Sequence, residues 1–180
     1  MTKSKKLLLG TCIALSMAST PLWAADSIGT TVDDTMVTAK VKAALIDNPA
    51  TKARQINVDT QAGTVQLNGF VDSASEKQAA ETEAKGVVGV KKVVNNLQVR
   101  SGERTAGVVI DDSAITAKVK TALLSDSRTK GYEVNVKTNN GIVSLGGFVA
   151  SAQEKQAAES VAGGVAGVVK VENGITVGKK

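Results

Sequence analysis

The chain has 180 residues, a formal net charge of +5, no histidine, one cysteine and aromatic residues at only 2%. Without histidine, and with a single cysteine, it has almost no material for nucleophile-and-base catalysis or for a histidine-cysteine metal site. So few aromatic side chains also argue against nucleic-acid binding by base stacking.

The N-terminus has the pattern of a secretory signal peptide. Three lysines precede an apolar run over residues 7–18, and Pro21 and the small pair Ala24-Ala25 follow. The run is too short for a transmembrane helix, which needs about 20 apolar residues. Cys12 stands too close to the lysines for a lipid-modified first residue, so we expect cleavage after Ala24 and not lipidation. We therefore predict a leader at 1–24 and a periplasmic mature chain that begins with a segment at 25–31.

Removal of the leader makes the chain nearly neutral. The three lysines, the only cysteine and the only tryptophan leave with it, and the net charge becomes 22 − 3 − 17 = +2. Residues 25–100 carry nine acidic and nine basic side chains, and residues 101–180 carry eight and ten. Because no dense basic stripe remains to neutralise phosphates, we predict no nucleic-acid partner.

The mature chain is a tandem duplication. A shift of 78 positions aligns residues 32–99 with 110–177 without a gap, and about 37 of the 68 pairs are identical. Two copies are too few for a solenoid, so each should be a small domain, at 32–100 and 110–178, with a short linker at 101–109. Domains of this size are marginally stable alone, and we expect the copies to support each other by packing.

Each copy begins with two aspartates followed by apolar residues at helical spacing. In the first copy these are Asp33 and Asp34, then Val37, Val41 and Leu45, with counterparts 78 residues later. Paired carboxylates can mark a metal or acid-base site. Aspartates at a helix start also accept hydrogen bonds from free N–H groups and complement the helix dipole, and we favour this capping role.

A β-hairpin, a second helix and a last strand follow in each copy. Short alternating strands flank Gly63 and Gly141, which predict the hairpin turns. Helical periodicity then returns and ends at glycine-containing turns with Gly89 and Gly167. Glu76 and the charged residues around it are predicted on a solvated helix face rather than in an acid-base pair.

The predicted fold is α+β: two tandem α-β-β-α-β domains, each a three-stranded sheet with two helices packed on one face. The second helix makes a crossover between strands two and three, which we expect to be right-handed. Two arrangements of the third strand stay open. It pairs either beside the second strand in parallel or beside the first strand in antiparallel orientation.

One repeated aromatic residue has two interpretations. Along strand two, Leu67 and Gly69 alternate toward the helices, which puts Phe70, and Phe148 in the second copy, on the opposite face. A bulge at Gly69 and Gly147 would turn each ring into the core, and we favour this because large apolar residues are usually buried. Otherwise the rings mark an open face where the domains meet each other or a client.

These units resemble the BON domains of bacterial envelope proteins. The resemblance rests on V-x-L-x-G-x-V at residues 65–71 and a G-V-x-G-V turn at residues 86–90, both repeated 78 residues later. It implies a non-enzymatic, chaperone-like protein, linked to osmotic stress, that holds unfolded or partly folded envelope proteins without a cofactor. Its oligomeric state stays open, with a monomer favoured. Phe70, Phe148 and the valine-rich turns are the candidate client surface.

For some family members the resemblance also implies binding of anionic phospholipid, which is the alternative function. Lys118, Lys120 and Leu124, in the first helix of the second domain, are the candidate contacts, and Lys179 and Lys180 would assist. The competing interpretation of these lysines is an ordinary solvated helix face. A structural role that tethers envelope partners is the third hypothesis.

Overall fold

The structure is a computed structural model that describes residues 33–51, 55–100, 111–129 and 131–178, without the side chain of Tyr132. The predicted leader at 1–24, the segment at 25–31 and the linker at 101–109 lie outside the described residues, as do Cys12, Lys179 and Lys180. Both copies of the repeat are described over most of their length.

Each copy folds in the predicted order of helix, strand, strand, helix and strand. The first domain contains α1 (Asp34–Asp47), β1 (Ile56–Gln61), β2 (Thr64–Val71), α2 (Ala74–Gly86) and β3 (Lys92–Val99). The second contains α3 (Asp112–Ser125), β4 (Val134–Asn139), β5 (Ile142–Val149), α4 (Ala152–Gly163), β6 (Lys170–Asn173) and β7 (Thr176–Val177). The α+β prediction is confirmed.

The second strand of each domain is the centre of its sheet. In the first domain the strand order is β1-β2-β3, with β1 antiparallel and β3 parallel to β2. β4, β5 and β6 repeat this order. The third strand therefore lies in parallel beside the second, and α2 and α4 make the crossovers that a parallel pair requires.

The third strand of the second domain is interrupted, so this sheet has four strands where three were predicted. β6 and β7 both pair with β5, and Gly174 and Ile175 separate them. The carbonyl of Gly174 accepts hydrogen bonds from Gln66 and Asn96 of the first domain. The break thus coincides with a contact between the domains.

The helices of each domain bury one stripe against their own sheet. α1 contributes Val37, Val41 and Leu45, and α2 contributes Ala80 and Ala84. The second domain repeats this core around α3 and α4. The predicted helical stripes are therefore the helix side of two separate hydrophobic cores, one in each domain.

The paired aspartates cap the first helices, as predicted, and also hold the hairpins. Asp33 accepts a backbone N–H two residues later at 2.9 Å. Both carboxylate oxygens of Asp34 accept backbone N–H groups of the hairpin turn, from Ala62 at 2.6 Å and Gly63 at 2.9 Å. Asp112 holds the corresponding turn of the second domain. The start of each first helix is thereby joined to its own sheet.

The prediction that Glu76 lies on a solvated helix face is wrong, because its side chain is buried, at 5% exposure. Its Oε2 accepts the N–H of Asp72 at 2.8 Å, and its own N–H donates to the Ser73 hydroxyl at 3.1 Å. Ser73 and Glu76 carry the S-x-x-E signature of a capping box, which occurs in both copies, and here the glutamate accepts the N–H of the residue just before the N-cap Ser73. The buried carboxylate therefore accepts a hydrogen bond from a backbone N–H group at the start of α2.

The six glycines predicted to have structural roles all have positive φ angles: Gly63, Gly69, Gly89, Gly141, Gly147 and Gly167. Gly69 and Gly147 lie within β2 and β5 rather than in turns. Gly69 and Gly147 are also required by a close approach of backbone. A Cβ atom on Gly69 would lie 1.9 Å from the carbonyl oxygen of Gln55, and one on Gly147 would lie 2.1 Å from that of Glu133. A side chain at either position would force the strands apart.

Candidate functional site

The sheet faces that the helices leave uncovered pack against each other, with the central strands β2 and β5 in contact. Gln66, Asn68 and Phe70 alternate along this face of β2, and all three are at most 2% exposed. This interdomain contact, with the grooves beside it, is the candidate functional region.

Gln66 connects the two domains through both ends of its amide. Its Nε2 donates to the carbonyl oxygen of Gly174 and to the hydroxyl of Thr176, the latter at 3.1 Å. Its Oε1 accepts the N–H of Gly147 at 2.9 Å. Asn96 adds a bond from its Nδ2 to the same Gly174 oxygen at 2.9 Å. Because a buried amide is unfavourable unless it is hydrogen-bonded, these bonds allow Gln66 and Asn96 to lie between the packed domains.

Glycines of the second domain make room for the side chains of the first. A Cβ atom on Gly146 would lie 2.2 Å from the Asn68 amide, and one on Gly174 would lie 2.6 Å from the Oδ1 of Asn68. The first-domain counterparts of these glycines are Asn68 and Asn96. The contact therefore requires two unlike domains. The first presents amide side chains, and the second presents glycine backbone that leaves room for them.

Phe70 is buried, as predicted, but it lies on the interdomain face, so the bulge interpretation is wrong for it. β2 pairs residue for residue with β3 through Gly69 and Phe70. The core cluster of the described first domain includes Leu67 and Val71 but not Phe70. The ring instead borders a cavity of about 190 Å³ together with Ile142 of the second domain. At 2% exposure, the ring cannot contact an unfolded client protein while the two domains are packed together.

Phe148 has a different environment from its counterpart. It is half-buried on β5, where it pairs with Thr176 of β7. Its ring borders a groove that the first domain completes with Thr38 and Asp59. The duplication has therefore placed one phenylalanine inside the interdomain contact and the other at its margin.

Two grooves open between the domains, and the duplication relates them. The acidic groove, of about 550 Å³, contains Asp34, Asp59 and Glu133. The basic groove, of about 450 Å³, contains Lys120 and Lys137 together with Asp112. Asp59 and Lys137 occupy equivalent positions of the repeat, as do Glu133 and Gln55. These two sequence differences between the copies thus account for most of the difference in charge between the grooves.

Asp59 has an unfavourable environment in the acidic groove. Its Oδ1 accepts a hydrogen bond from the Nδ2 of Asn135 across the domain boundary at 2.7 Å, and its buried Oδ2 has no partner among the described residues. Burial raises the pKa of Asp59, while the Asn135 bond and nearby Lys42 oppose the shift. The folded state therefore favours the protonated carboxyl of Asp59. The stability that this protonated form contributes is present below the ordinary pKa of 3.8 and is lost as pH rises through the raised pKa.

The three predicted lipid contacts do not share one face. Lys118, Lys120 and Leu124 are all exposed on α3. At about 100° per residue, Lys120 and Leu124 lie one turn apart on the same flank, whereas Lys118 lies on the other side of the buried stripe that contains Val119. Lys120 also borders the basic groove. One flat surface can therefore engage Lys120 and Leu124 together, but not Lys118.

The valine-rich turns, predicted as part of a client surface, mostly belong to the domain cores. Val87, Val90 and Val93 pack against the first core, and their counterparts pack against the second. Val88 and Val169 are exposed. Exposed apolar side chains also recur at equivalent positions, near the end of the first helix and of the last strand: Ile46 and Leu124, and Val99 and Val177.

The interdomain role of the amides was missed, although the repeat carries a signal for it. Helix-facing residues of strand two are identical in the two copies, as Leu67 and Leu145 are. On the open face the phenylalanine is kept, as Phe70 and Phe148, but the polar positions differ: Gln66 is replaced by Ser144 and Asn68 by Gly146. Two faces that pack against each other must be complementary rather than alike, so a face that diverges while its reverse side does not is typical of such a contact.

Within residues 33–51, 55–100, 111–129 and 131–178, no group of three or more acidic residues is placed to hold a metal ion. No helix in the same described ranges is both long enough and apolar enough to cross a bilayer.

Comparison with known proteins identifies relatives over most of the chain. Osmotically-inducible protein Y of Escherichia coli (strain K12) is 40% identical over 149 residues, covering 82% of this chain and 74% of that protein. A 21 kDa hemolysin of Actinobacillus pleuropneumoniae is 39% identical over 147 residues, covering 81% and 74%. Outer membrane lipoprotein DolP of Haemophilus influenzae is 34% identical over 163 residues, covering 90% and 81%.

The duplicated unit also matches a known domain. The BON domain matches the chain twice, at residues 33–101 and 111–179, and each match spans one α-β-β-α-β copy. Since two matches together cover most of the chain, and the relatives extend across both copies, this protein belongs to the BON-domain family.

Proposed function

We propose that the protein is a non-enzymatic periplasmic stress-response protein that holds unfolded or partly folded envelope proteins. Similarity to an osmotically-inducible protein and to an outer membrane lipoprotein supports a role in the envelope under osmotic stress. The observation that carries the holdase part is the recurrence of exposed apolar side chains at equivalent positions of the two domains.

Ile46 and Leu124 are the client contacts that we infer. They lie near the C-terminal ends of α1 and α3 and are 70% and 64% exposed. One exposed leucine or isoleucine is ordinary on a protein surface. Two at equivalent positions in one chain can hold an extended client at two points, and the first contact raises the effective concentration for the second. Phe70 takes no part in the closed structure because it is buried.

The test is suppression of aggregation of a denatured outer-membrane protein, followed by light scattering, with the chain from Ala25 onward. The double variant Ile46→Ser and Leu124→Ser should need about thirtyfold more protein for equal protection, since each of the two exposed contacts contributes roughly 1 kcal/mol. The double variant Ala43→Ser and Thr121→Ser is the matched control, because both residues are exposed on the same two helices. It should protect as well as the wild type.

Either of two results would contradict the proposal. Failure of the wild-type chain to slow aggregation would dismiss the holdase function. Equal protection by the wild type and the Ile46-Leu124 double variant would keep the function but remove these residues as its surface.

Association with anionic phospholipid is the second candidate, supported by the position of Lys120 one helical turn before the exposed Leu124. A lysine near an anionic membrane surface contributes about 1 kcal/mol, and Leu124 would add a shallow apolar contact. Such binding would be weak and would decrease with salt.

Co-sedimentation with phosphatidylglycerol or phosphatidylcholine vesicles, at low and high salt, tests this candidate. Lys120→Gln should weaken pelleting with the anionic vesicles about fivefold. Lys118→Gln should have little effect, because it removes the same charge from the other flank of the same helix. Equal losses in the two variants, or pelleting that salt does not reverse, would contradict the proposed surface.

A further inference from the structure

The basic groove is lined by groups that suit an anionic ligand. It encloses about 450 Å³ between α3, β4 and the first domain. Lys120 borders it from α3 and Lys137 from β4, so two separate elements each contribute one lysine to its lining. Ser113 and Asn57 supply a neutral hydroxyl and a neutral amide from the two domains.

The two lysines have no ionic partner in the part of the chain that the structure describes. No carboxylate there lies within 4.0 Å of either ammonium group. The acidic residue of the groove, Asp112, already accepts the N–H groups of Asn140 at 2.8 Å and Gly141 at 2.9 Å. Lys137 is half-buried, and a partly buried charge without a partner is stabilised by an anion.

The acidic groove provides an internal comparison, because the same elements build it from the other copy. Two lysines against one aspartate give the basic groove a formal charge of +1, whereas three carboxylates give the acidic groove −3. The fold is common to both grooves. The shared fold therefore does not require the positive charge of Lys137, because Asp59 takes its place in the acidic groove.

We propose that the basic groove binds a phosphate-type oxyanion, held between the ammonium groups of Lys120 and Lys137. The shared chemistry is a phosphate group, carried either by a soluble ester or by a lipid headgroup. Charge-assisted hydrogen bonds are the stronger ones in proteins, and here two of them reach one oxyanion. The site goes beyond the holdase function and uses neither Ile46 nor any buried interdomain residue. It shares Lys120 with the anionic-phospholipid candidate and adds Lys137, which that candidate does not use.

Titration of inorganic phosphate into the chain from Ala25 onward, by isothermal calorimetry at low salt, tests the site. We expect saturable binding with a dissociation constant on the order of millimolar. Lys137→Gln should weaken it about tenfold, through loss of one charge-assisted bond. Lys120→Gln, on the exposed surface of α3, should act in the same direction and does not depend on the stability of β4. Lys118→Gln is the control outside the groove and should bind as the wild type does.

Three outcomes would overturn the proposal: no saturable phosphate binding, unchanged affinity in both groove variants, or an equal loss in Lys118→Gln that would indicate a general charge effect. The source of the phosphate is resolved by adding phosphatidylglycerol vesicles. Competition between the vesicles and inorganic phosphate identifies a lipid headgroup as the source, and the absence of competition identifies a soluble ester. Either result is consistent with phosphate binding in the basic groove.

Leu124→Ser separates this site from the functions proposed above. It should lose any vesicle association that depends on the exposed flank of α3 and keep its phosphate affinity, because Leu124 does not border the groove. Failure of phosphate to bind would leave the aggregation assay unaffected, so the two proposals stand or fall separately.

Discussion

Gly146 shows how a single residue decides which faces can pair. The equivalent residue of the first domain, Asn68, points into the space that Gly146 leaves open. If both copies carried asparagine here, the two amides would collide. If both carried glycine, the contact would contain a void, and lost contacts of that kind are costly in a close-packed interior. The asymmetry of this pair therefore favours contact between unlike copies.

Gly146→Ala should destabilise the protein by about 1–3 kcal/mol, because the new Cβ atom would lie 2.2 Å from the Asn68 amide and the packed strands cannot easily separate. Urea unfolding measures the change. Gly86→Ala is the control, since a Cβ atom there would have no neighbour within 4 Å, and it should leave the unfolding free energy unchanged or slightly raised. Equal losses in the two variants would show that Gly146 is not specifically constrained.

Among the helices and strands, α2 is the one whose stability depends most visibly on hydrogen bonds at its N-terminus. Its fully buried apolar side chains are two alanines, Ala80 and Ala84, which offer little hydrophobic area. Its first turn is held by the capping box of Ser73 and Glu76, and the carboxylate of Glu76 is buried in doing so. The local bonds at the N-terminus thus compensate for a modest apolar face.

Ser73→Ala should lower the unfolding free energy by about 1 kcal/mol, because it removes the acceptor for the Glu76 N–H and leaves that donor without its cap. Chemical denaturation monitored by circular dichroism is the measurement. Ser75→Ala, at an exposed position two residues later, is the matched control and should change little. A cost at Ser75 as large as that at Ser73 would refute the capping explanation.

At the scale of the whole molecule, the two domains share a buried polar face and should unfold together. Each has its own hydrophobic core, but the buried amide of Gln66 is hydrogen-bonded to residues of the second domain, and Asn96 adds one more interdomain bond. Separation of the domains would expose these groups to water together with Phe70. The duplicated arrangement therefore stabilises two domains that are small for independent folding.

Scanning calorimetry should show a single transition for the wild-type chain. Gln66→Ala should lower stability by about 1–3 kcal/mol, since it leaves the Gly147 N–H without its interdomain acceptor and removes one of the two bonds to the Gly174 carbonyl, and should separate the transition into two. Gln78→Ala, an exposed glutamine on α2, should preserve a single transition. Two transitions in the wild type, or one unshifted transition in Gln66→Ala, would contradict cooperative unfolding of the domains.

The sequence by itself determined the element order, the buried helical stripes, the aspartate caps and the family. These features are local or repeated: a stripe needs only the spacing of Val37, Val41 and Leu45, and a hairpin turn needs a glycine such as Gly63 with positive φ. The capping box at Glu76 was equally local, and its S-x-x-E pattern was present to be found.

Only the tertiary structure decided the pairing of the third strand, the burial of Phe70, the break at Gly174 and the two grooves. Each depends on contacts between residues far apart in the chain, such as Gln66 and Gly174, separated by 108 positions. Period-two alternation placed Phe70 on the open face but could not reveal what covers it. The covering surface belongs to the other copy, and its fit depends on differences between two sequences that are otherwise alike.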